Sequence, residues 1–423
     1  MKRKRSIQLA LFVVLMAPMF GCDNDTTGDD GSSLTDGAMP VSDGTMTDAD
    51  PTDAQVIGDA AVTTDAGPAP DAAPEVDAQM GPPDPCATMP CPGWTNGISL
   101  PEARNLHTAT ILSDGRILVA GGADEDDSTL DTAVIFDVNR NTWTPTAPMT
   151  ARQEHHTATA LSDGRVLVTG GNSFSPTSAA GTFTPGLGWR DASMSTRRSG
   201  HSATLLEDGR VLVTGGVSGD GGLTGVETFD PTNDTWAAAA NMPNVHANHA
   251  TVRLADGRVL VCGGSGSDGE ASARVDIYDP ASDSWAQASD MATARYRHTA
   301  TLLDDGSVLI VGGFNEASSA IFDPTTDTWE MAGDLVNGRY NHTASKLRDG
   351  RVMLVGGWNS SDNKIARVEI YDPTSGWFEG TALPAPIEDH ATVVLDGGRV
   401  FVIGGRGPTG NVGTVYQWSP NED

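Results

Sequence analysis

Seven histidines recur along the chain at intervals of 44 to 49 residues, and imidazole can ligate a metal or move protons near neutral pH. If each begins the same inner strand of a repeated unit, the imidazoles surround a central axis, too far apart for tetrahedral coordination. We therefore expect hydrogen bonds within each unit and no metal site. His155 and His246 are additional loop histidines to which the sequence assigns no carboxylate. The seven recurring residues are His107, His156, His201, His249, His298, His342 and His390.

Loops in the fifth and sixth repeats carry side chains suited to ligand binding. Aromatic rings beside arginine and asparagine can hold a sugar ring, or a peptide that carries a carboxylate. In the alternative, Phe314 and Trp358 cover a junction between repeats and the arginines bond loop carbonyls. The predicted ligand-binding residues are Arg295, Tyr296, Arg297, Phe314, Arg339, Tyr340, Trp358, Asn359 and Lys364.

Cysteines and clustered acids offer further chemistry. Cys86 and Cys91 lie in PCATMPC, and a disulfide is predicted in an oxidising compartment because two thiols alone make a poor zinc site. Cys262 lies inside the apolar VLVCGG, where an inert buried thiol is expected. The acidic loop Asp124–Asp127 lacks the Gly and Glu spacing of a known calcium loop, which favours a solvated turn.

The first residues are typical of an export signal. Residues 1–21 begin with the basic MKRKR and continue as an apolar run that ends before Gly21-Cys22. This pattern resembles a bacterial lipoprotein signal, which implies lipidation of Cys22 and attachment to the cell envelope, on the periplasmic side or the cell surface. An ordinary secretory signal is the alternative. Residues 22–91 then form a predicted disordered tether, with 15 acids and no Lys or Arg.

Composition limits the classes of function and fold. Lys plus Arg number 26 and Asp plus Glu number 56, which gives a formal net charge of −30. Nucleic-acid binding is disfavoured because it needs clustered Lys and Arg to neutralise phosphates. The 49 glycines among 423 residues disfavour a helical bundle, because glycine weakens helix interiors. A turn-rich all-β protein is expected.

A repeated unit of four short strands must position the candidate side chains. A Gly-Gly doublet begins 14 residues after each recurring histidine, and a tryptophan precedes each histidine by 12 or 13 residues. Asp-Gly between apolar runs, as at Asp305-Gly306, predicts a tight hairpin. Because such a sheet cannot bury both faces alone, neighbouring units must pack together. Seven units arranged radially predict a seven-bladed β-propeller over residues 92–423.

With its Gly-Gly doublet, spaced aromatic residue and spaced tryptophan, the unit resembles the kelch repeat. The resemblance implies that the doublet ends the second strand, that an aromatic residue such as Phe136 lies on the third, and that tryptophan lies on the fourth. The last unit has no fourth strand after Trp418, whereas Trp94 precedes the first histidine by the usual interval. The strand around Trp94 is therefore expected to complete the last blade.

Length variation falls on one face of the predicted propeller. Nearly all of it lies between the second and third strands, and this loop emerges beside the loop before each histidine. Binding residues usually lie on variable loops held by a rigid frame. We therefore expect ligand binding on that face.

The sequence favours a binding function over catalysis. Galactose oxidase, whose catalytic domain resembles these repeats, holds copper with a Tyr–Cys crosslink and a tyrosine adjacent to a histidine. Here Tyr296 and Tyr340 are each one residue removed from a histidine, and Cys262 is within a strand, so no copper or other cofactor is expected. The prediction is a monomeric, membrane-anchored module that binds or scaffolds a protein or glycan. A carbohydrate-active enzyme of mutarotase or oxidase type is the alternative.

Overall fold

The computed structural model of the chain describes residues 93–359, 361 and 363–420. Within that part of the chain every regular element is a β-strand, and there is no helix that could cross a membrane. The predicted signal, the tether, the lipidated Cys22 and the Cys86–Cys91 disulfide all lie outside the described residues.

Seven four-stranded antiparallel sheets form the predicted blades. Strands are numbered in chain order. Blade 1 contains β2 (Thr108–Ile111), β3 (Ile117–Ala120), β4 (Ala133–Asp137) and β5 (Thr142–Pro145); blade 2 contains β6 (Thr157–Ala160), β7 (Val166–Thr169), β8 (Ala180–Thr184) and β9 (Gly188–Asp191); blade 3 contains β10 (Ser202–Leu205), β11 (Val211–Thr214), β14 (Val226–Asp230) and β15 (Thr235–Ala239). Blade 4 contains β16 (Ala250–Arg253), β17 (Val259–Cys262), β18 (Val275–Asp279) and β19 (Ser284–Gln287); blade 5 contains β20 (Thr299–Leu302), β21 (Val308–Val311), β22 (Ser318–Asp323) and β23 (Thr328–Asp334). Blade 6 contains β24 (Thr343–Lys346), β25 (Val352–Val355), β26 (Val368–Asp372) and β27 (Gly376–Gly380); blade 7 contains β28 (Ala391–Val394), β29 (Val400–Ile403), β32 (Val415–Trp418) and β1 (Thr95–Asn96).

Blade 7 is closed by the start of the described chain, as predicted. Its strands lie in the order β28-β29-β32-β1, and β1 pairs antiparallel with β32 through Thr95–Gln417 and Asn96–Tyr416. The Trp94 indole N–H donates to the Thr381 carbonyl of blade 6 at 2.8 Å. The ring of blades is therefore closed without a covalent link.

Each junction between blades has its own hydrophobic core. The second strands are continuous apolar runs such as VLVT, buried along their whole length because neighbouring blades cover both faces. Alternate side chains of such a strand point to opposite junctions. Val211 and Val213 pack against blade 2, whereas Leu212 packs against blade 4. Seven such clusters account for the seven junctions.

The Gly-Gly doublets connect the blades near the axis. The second glycine of each doublet donates its N–H to a carbonyl of the next blade at 2.7–2.9 Å, and Gly405 closes the ring by donating to Arg104. At Gly122 the backbone φ is +94°, and a Cβ would lie 2.3 Å from the Asn105 carbonyl oxygen. Such a position excludes every residue but glycine.

Strand order also separates two faces. The loops between the second and third strands emerge beside the loops that precede the histidines, and together they form the variable face. Two small ribbons lie in these loops, β12–β13 (Val217–Ser218, Gly221–Gly222) and β30–β31 (Arg406–Gly407, Gly410–Asn411). The Asp-Gly hairpins and the turns between third and fourth strands form the opposite, short-turn face.

Candidate functional site

The residue directly before each recurring histidine belongs to a ring around the propeller axis. All seven have left-handed backbones, with φ between 50° and 60°. Backbone hydrogen bonds link ring residues of adjacent blades, for example from His155 N–H to the Leu106 oxygen and from Leu106 N–H to the Asp389 oxygen, both at 3.1 Å. The scaffold thus fixes the backbone and leaves the side chain variable. The ring residues are Leu106, His155, Gly200, Asn248, Arg297, Asn341 and Asp389.

A cavity of about 390 Å³ opens at this ring on the variable face. Five ring residues from five blades line it, which places it over the axis. Its wall carries groups that donate and accept hydrogen bonds, with both signs of charge. The lining residues are Asn105, Leu106, Ala123, Asp127, Glu154, His155, Arg297, Tyr340, Asn341, Trp358, Glu388, Asp389 and Arg406.

Two adjacent carboxyl groups have unusual proton affinities in this cavity. Enclosure by the wall raises the pKa of Asp389 to about 7, and the neighbouring Glu388 carboxylate adds to that shift. Burial also raises the pKa of Glu388, which is 1% exposed and lies 3.7 Å from Lys364 Nζ. Asp389 can therefore take up and release a proton near neutral pH.

The predicted aromatic residues form one continuous row along the edge of the cavity. Tyr296 stacks on Phe314 at a centroid distance of 5.3 Å, Phe314 contacts Tyr340 at 5.1 Å, and Tyr340 stacks on Trp358 at 6.3 Å. Lys364 Nζ lies 5.0 Å from the Trp358 ring centre. The row crosses from blade 5 to blade 6, and its Tyr340 and Trp358 line the cavity.

Arg297 and Asn359, two other predicted residues, differ in their roles. Arg297 is exposed and lies in the cavity, with Nη1 3.3 Å from the Asn341 Oδ1. Asn359 instead shapes its own loop, because its Oδ1 accepts the N–H groups of Ser361 and Asn363 at 3.0 and 3.1 Å. Asn359 is absent from the cavity lining.

Arg295 and Arg339 require a correction, because they are not surface residues. Both are at most 2% exposed. Arg295 Nη1 donates to the Gly312 and Ser318 carbonyls at 2.9 Å, and Arg339 Nη2 pairs with the buried Glu369. For these two arginines the packing alternative holds, since a guanidinium fully engaged inside a blade cannot reach a ligand.

The two arginines belong to a series of buried polar groups that sequence reasoning missed. In six blades the residue three positions before the histidine bonds the first glycine of that blade's doublet, as in Arg198 Nη1 to the Gly215 oxygen at 2.9 Å. Blade 7 has Ile387 at this position. Where the second residue of the third strand is acidic, it pairs with this group: Arg198–Glu227 at 2.9 Å and His246–Asp276 at 3.0 Å. The acids in VETFD, VDIYD and VEIYD were the available signal.

The recurring histidines also require a correction, because six of them bond across junctions. His342 Nε2 lies 3.0 Å from Thr299 Oγ1 of blade 5, and His390 Nε2 lies 3.0 Å from Thr343 Oγ1 of blade 6. Burial lowers the pKa of both to about 3, so the imidazoles stay neutral at physiological pH. They hold neighbouring blades together.

The acidic loop and Cys262 were further candidates for metal chemistry. No three His, Cys, Asp or Glu side chains among them converge on one point. Asp124 Oδ1 accepts the N–H groups of Asp126 and Ser128 at 2.9 Å, so this carboxylate closes its own turn. Cys262 is fully buried, and burial raises the pKa of its thiol to about 12. These residues do not fit a crosslinked copper centre.

Comparison with known proteins agrees with the repeat pattern. Family models of the kelch motif match residues 104–150, 197–243 and 247–292. The chain is a kelch-repeat β-propeller. The kelch propeller is similar to a fungal alcohol oxidase of the AA5 family solved in complex with copper, at 19% identity and a TM-score of 0.66, covering 78% of this chain and 76% of that one. It is also similar to YjhT, at 16% identity and a TM-score of 0.53, covering 67% of this chain and 99% of that one.

These similarities establish the fold and assign no ligand to it. No curated protein sequence matches the chain. At such low identities, fold similarity carries no residue roles, because one propeller supports many functions. Function must therefore be inferred from the cavity of this kelch propeller.

Proposed function

We propose that this protein is a glycan-binding module that holds a sugar ring in the cavity over its axis. The observation that supports this most directly is the pairing of a small polar cavity with an aromatic wall. A saccharide presents many hydroxyls and apolar ring faces, which such a mixed lining can satisfy. Arg297, Asn341 and the Glu388–Asp389 pair supply donors and acceptors, and Tyr340 and Trp358 supply apolar area.

A binding role also agrees with the rigidity of the site. The ring residues are fixed by backbone hydrogen bonds between blades, so little ordering is needed on binding. We further propose that a lipid on Cys22 holds the protein at the bacterial envelope, with residues 23–91 as spacer. The sequence pattern around Cys22 supports that placement.

Calorimetric titration of the full chain with a panel of monosaccharides and oligosaccharides tests this proposal. Arg297→Asn and Asp389→Asn should each weaken binding of the best sugar at least about tenfold, the scale of one lost charge-assisted hydrogen bond. Asparagine is chosen because Asn248 and Asn341 already occupy this left-handed position in other blades.

The matched control is Phe174→Ala, which removes an exposed aromatic residue from the variable face outside the cavity. It should leave sugar affinity unchanged. Binding to no sugar in the panel, or equal loss with the control, would reject the glycan proposal.

A carbohydrate-active enzyme is the second candidate, and Asp389 is the observation that favours it. A carboxyl group with a pKa of about 7 in a polar cavity can serve as general acid or base. Turnover of a bound sugar that disappears in Asp389→Asn, with binding retained, would favour catalysis.

A further inference from the structure

The first hairpin turn of blade 5, on the short-turn face, lacks the arginine that the other six blades carry. In five blades the turn reads Asp-Gly-Arg, and the arginine bonds back to the aspartate, as in Arg210 Nε to Asp208 Oδ2 at 2.7 Å. Blade 5 has Asp305-Gly306-Ser307 instead. Ser307 N–H and Oγ both bond Asp305 Oδ1, and no described residue bonds Asp305 Oδ2.

Two of the turn arginines also reach the next blade. Arg165 Nη1 lies 2.5 Å from Asp234 Oδ1 of blade 3, and Arg258 Nη2 lies 3.5 Å from the Pro324 oxygen of blade 5. Serine at position 307 cannot span this distance, so the junction of blades 5 and 6 lacks the guanidinium.

A cavity of about 520 Å³ lies where this arginine is missing. Its lining includes Ser307, Asp305, Asp323, Glu330 and Tyr371. The groove formed by the same positions of blades 3 and 4 measures about 380 Å³ and has Arg258 in its wall, where the larger cavity has Ser307 and continues to Tyr371 of blade 6. Replacing arginine by serine thus leaves a larger, acid-lined space.

Tyr371 gives an independent indication that a polar group belongs there. Its side chain is only 5% exposed and lines the cavity, yet no described residue hydrogen-bonds its hydroxyl. The equivalent Tyr278 donates to Asp283 Oδ1 at 2.8 Å, whereas Ser375 stands two residues before the tryptophan in blade 6. Burial raises the pKa of Tyr371, and the negative charges of Asp305 and Glu330 add to the shift.

We propose that this cavity binds an arginine side chain presented by a partner protein. The guanidinium would take the place that the chain's own arginines take in other blades, donating to Asp305 and to the Tyr371 oxygen. Planar donors suit this arrangement better than the compact ammonium of lysine. The excess of acids over bases in the chain favours a basic partner surface.

The test titrates the full chain with a capped Gly-Arg-Gly peptide and with its citrulline analogue, which has the same shape without the charge. The arginine peptide should bind one to one, and the citrulline peptide at least tenfold more weakly. Ser307→Arg should weaken arginine binding at least tenfold by filling the cavity from within, and Tyr371→Phe should weaken it severalfold.

Two controls locate the binding. Ser307→Ala keeps the cavity open and should bind the arginine peptide within twofold of the unchanged protein. Phe174→Ala should leave arginine-peptide binding unchanged because it alters an exposed residue on the opposite face. Absence of binding at millimolar peptide, equal binding of citrulline, or undiminished binding in Ser307→Arg would overturn the proposal. If Ser307→Arg does not fold, Tyr371→Phe and the citrulline comparison decide the question.

Discussion

The residue before each recurring histidine has a constant backbone conformation and a variable side chain. Its left-handed backbone is repeated in all seven blades, but its side chain is leucine, histidine, glycine, asparagine, arginine or aspartate. Six of the seven residues are not glycine, and each such residue costs energy that the surrounding hydrogen bonds must offset. The cavity is therefore defined by side chains whose backbone the repeat already fixes.

Asp389→Asn should stabilise the folded protein at pH 8 and have little effect at pH 4. The pKa of Asp389 is raised from 3.8 to about 7, so the unfolded chain ionises first and the folded state loses stability as pH rises between these values. After screening by solvent, the gain at pH 8 should be about 1–2 kcal/mol. Urea unfolding at both pH values measures it.

Asp323→Asn, unfolded in urea at the same two pH values, is the control for this prediction. Asp323→Asn changes a carboxylate whose pKa is lowered to about 2 by its turn partners, so its effect on stability has the opposite sign. Equal stability of Asp389→Asn and the unchanged protein at pH 8 would contradict a raised pKa at Asp389.

At the scale of elements, the Gly-Gly doublet ends one strand and binds the neighbouring blade. Its first glycine leaves space for the next blade, since a Cβ on Gly121 would lie 2.4 Å from the Gln153 oxygen. Its second glycine donates the hydrogen bond that crosses the junction. The doublet therefore has two roles: it ends the second strand and it connects that blade to the next one.

Gly122→Ala should destabilise the propeller by about 2–4 kcal/mol, because it combines a strained φ with a backbone clash. Gly219→Ala is the matched control, since a Cβ there meets nothing within 4 Å. Urea unfolding at neutral pH compares the two variants. Similar midpoints for both would mean that the loop before His107 relaxes around the added methyl group.

The repeat spacing predicted the strands well because hairpin turns and apolar runs are local properties of the sequence. The Asp-Gly turns, the doublets and the tryptophans each lie where expected, and the Phe136–Trp143 cross-strand pair confirms the assignment of the third and fourth strands. The histidine bonds were predicted within blades and lie between them, since local spacing does not reveal which neighbour supplies a hydroxyl.

At the scale of the molecule, closure depends on a two-residue strand. A chain that begins at residue 100 lacks Trp94 and β1 and exposes the edge of β32. It should melt roughly 5 °C or more below a chain that begins at residue 85. Thermal unfolding followed by circular dichroism measures the difference, and melting within a degree would show that β1 contributes nothing to closure.

The candidate site was only partly predictable from the sequence. Tyr296, Phe314, Tyr340 and Trp358 were identified because aromatic residues in variable loops are conspicuous, and the structure places them in one row. Asp389 was missed because its importance arises from the ring, which brings together residues from five blades. Such convergence cannot be deduced from spacing along a single repeat.

The pairing of β1 with β32 also determines how the ring would respond to mechanical load. The two strands are antiparallel, so the beginning of one lies beside the end of the other. Tension applied at these two points would peel the strands apart one bond at a time, while six blades bear no force. A chain that is tethered at one end and pulled at the other would therefore open first between β1 and β32.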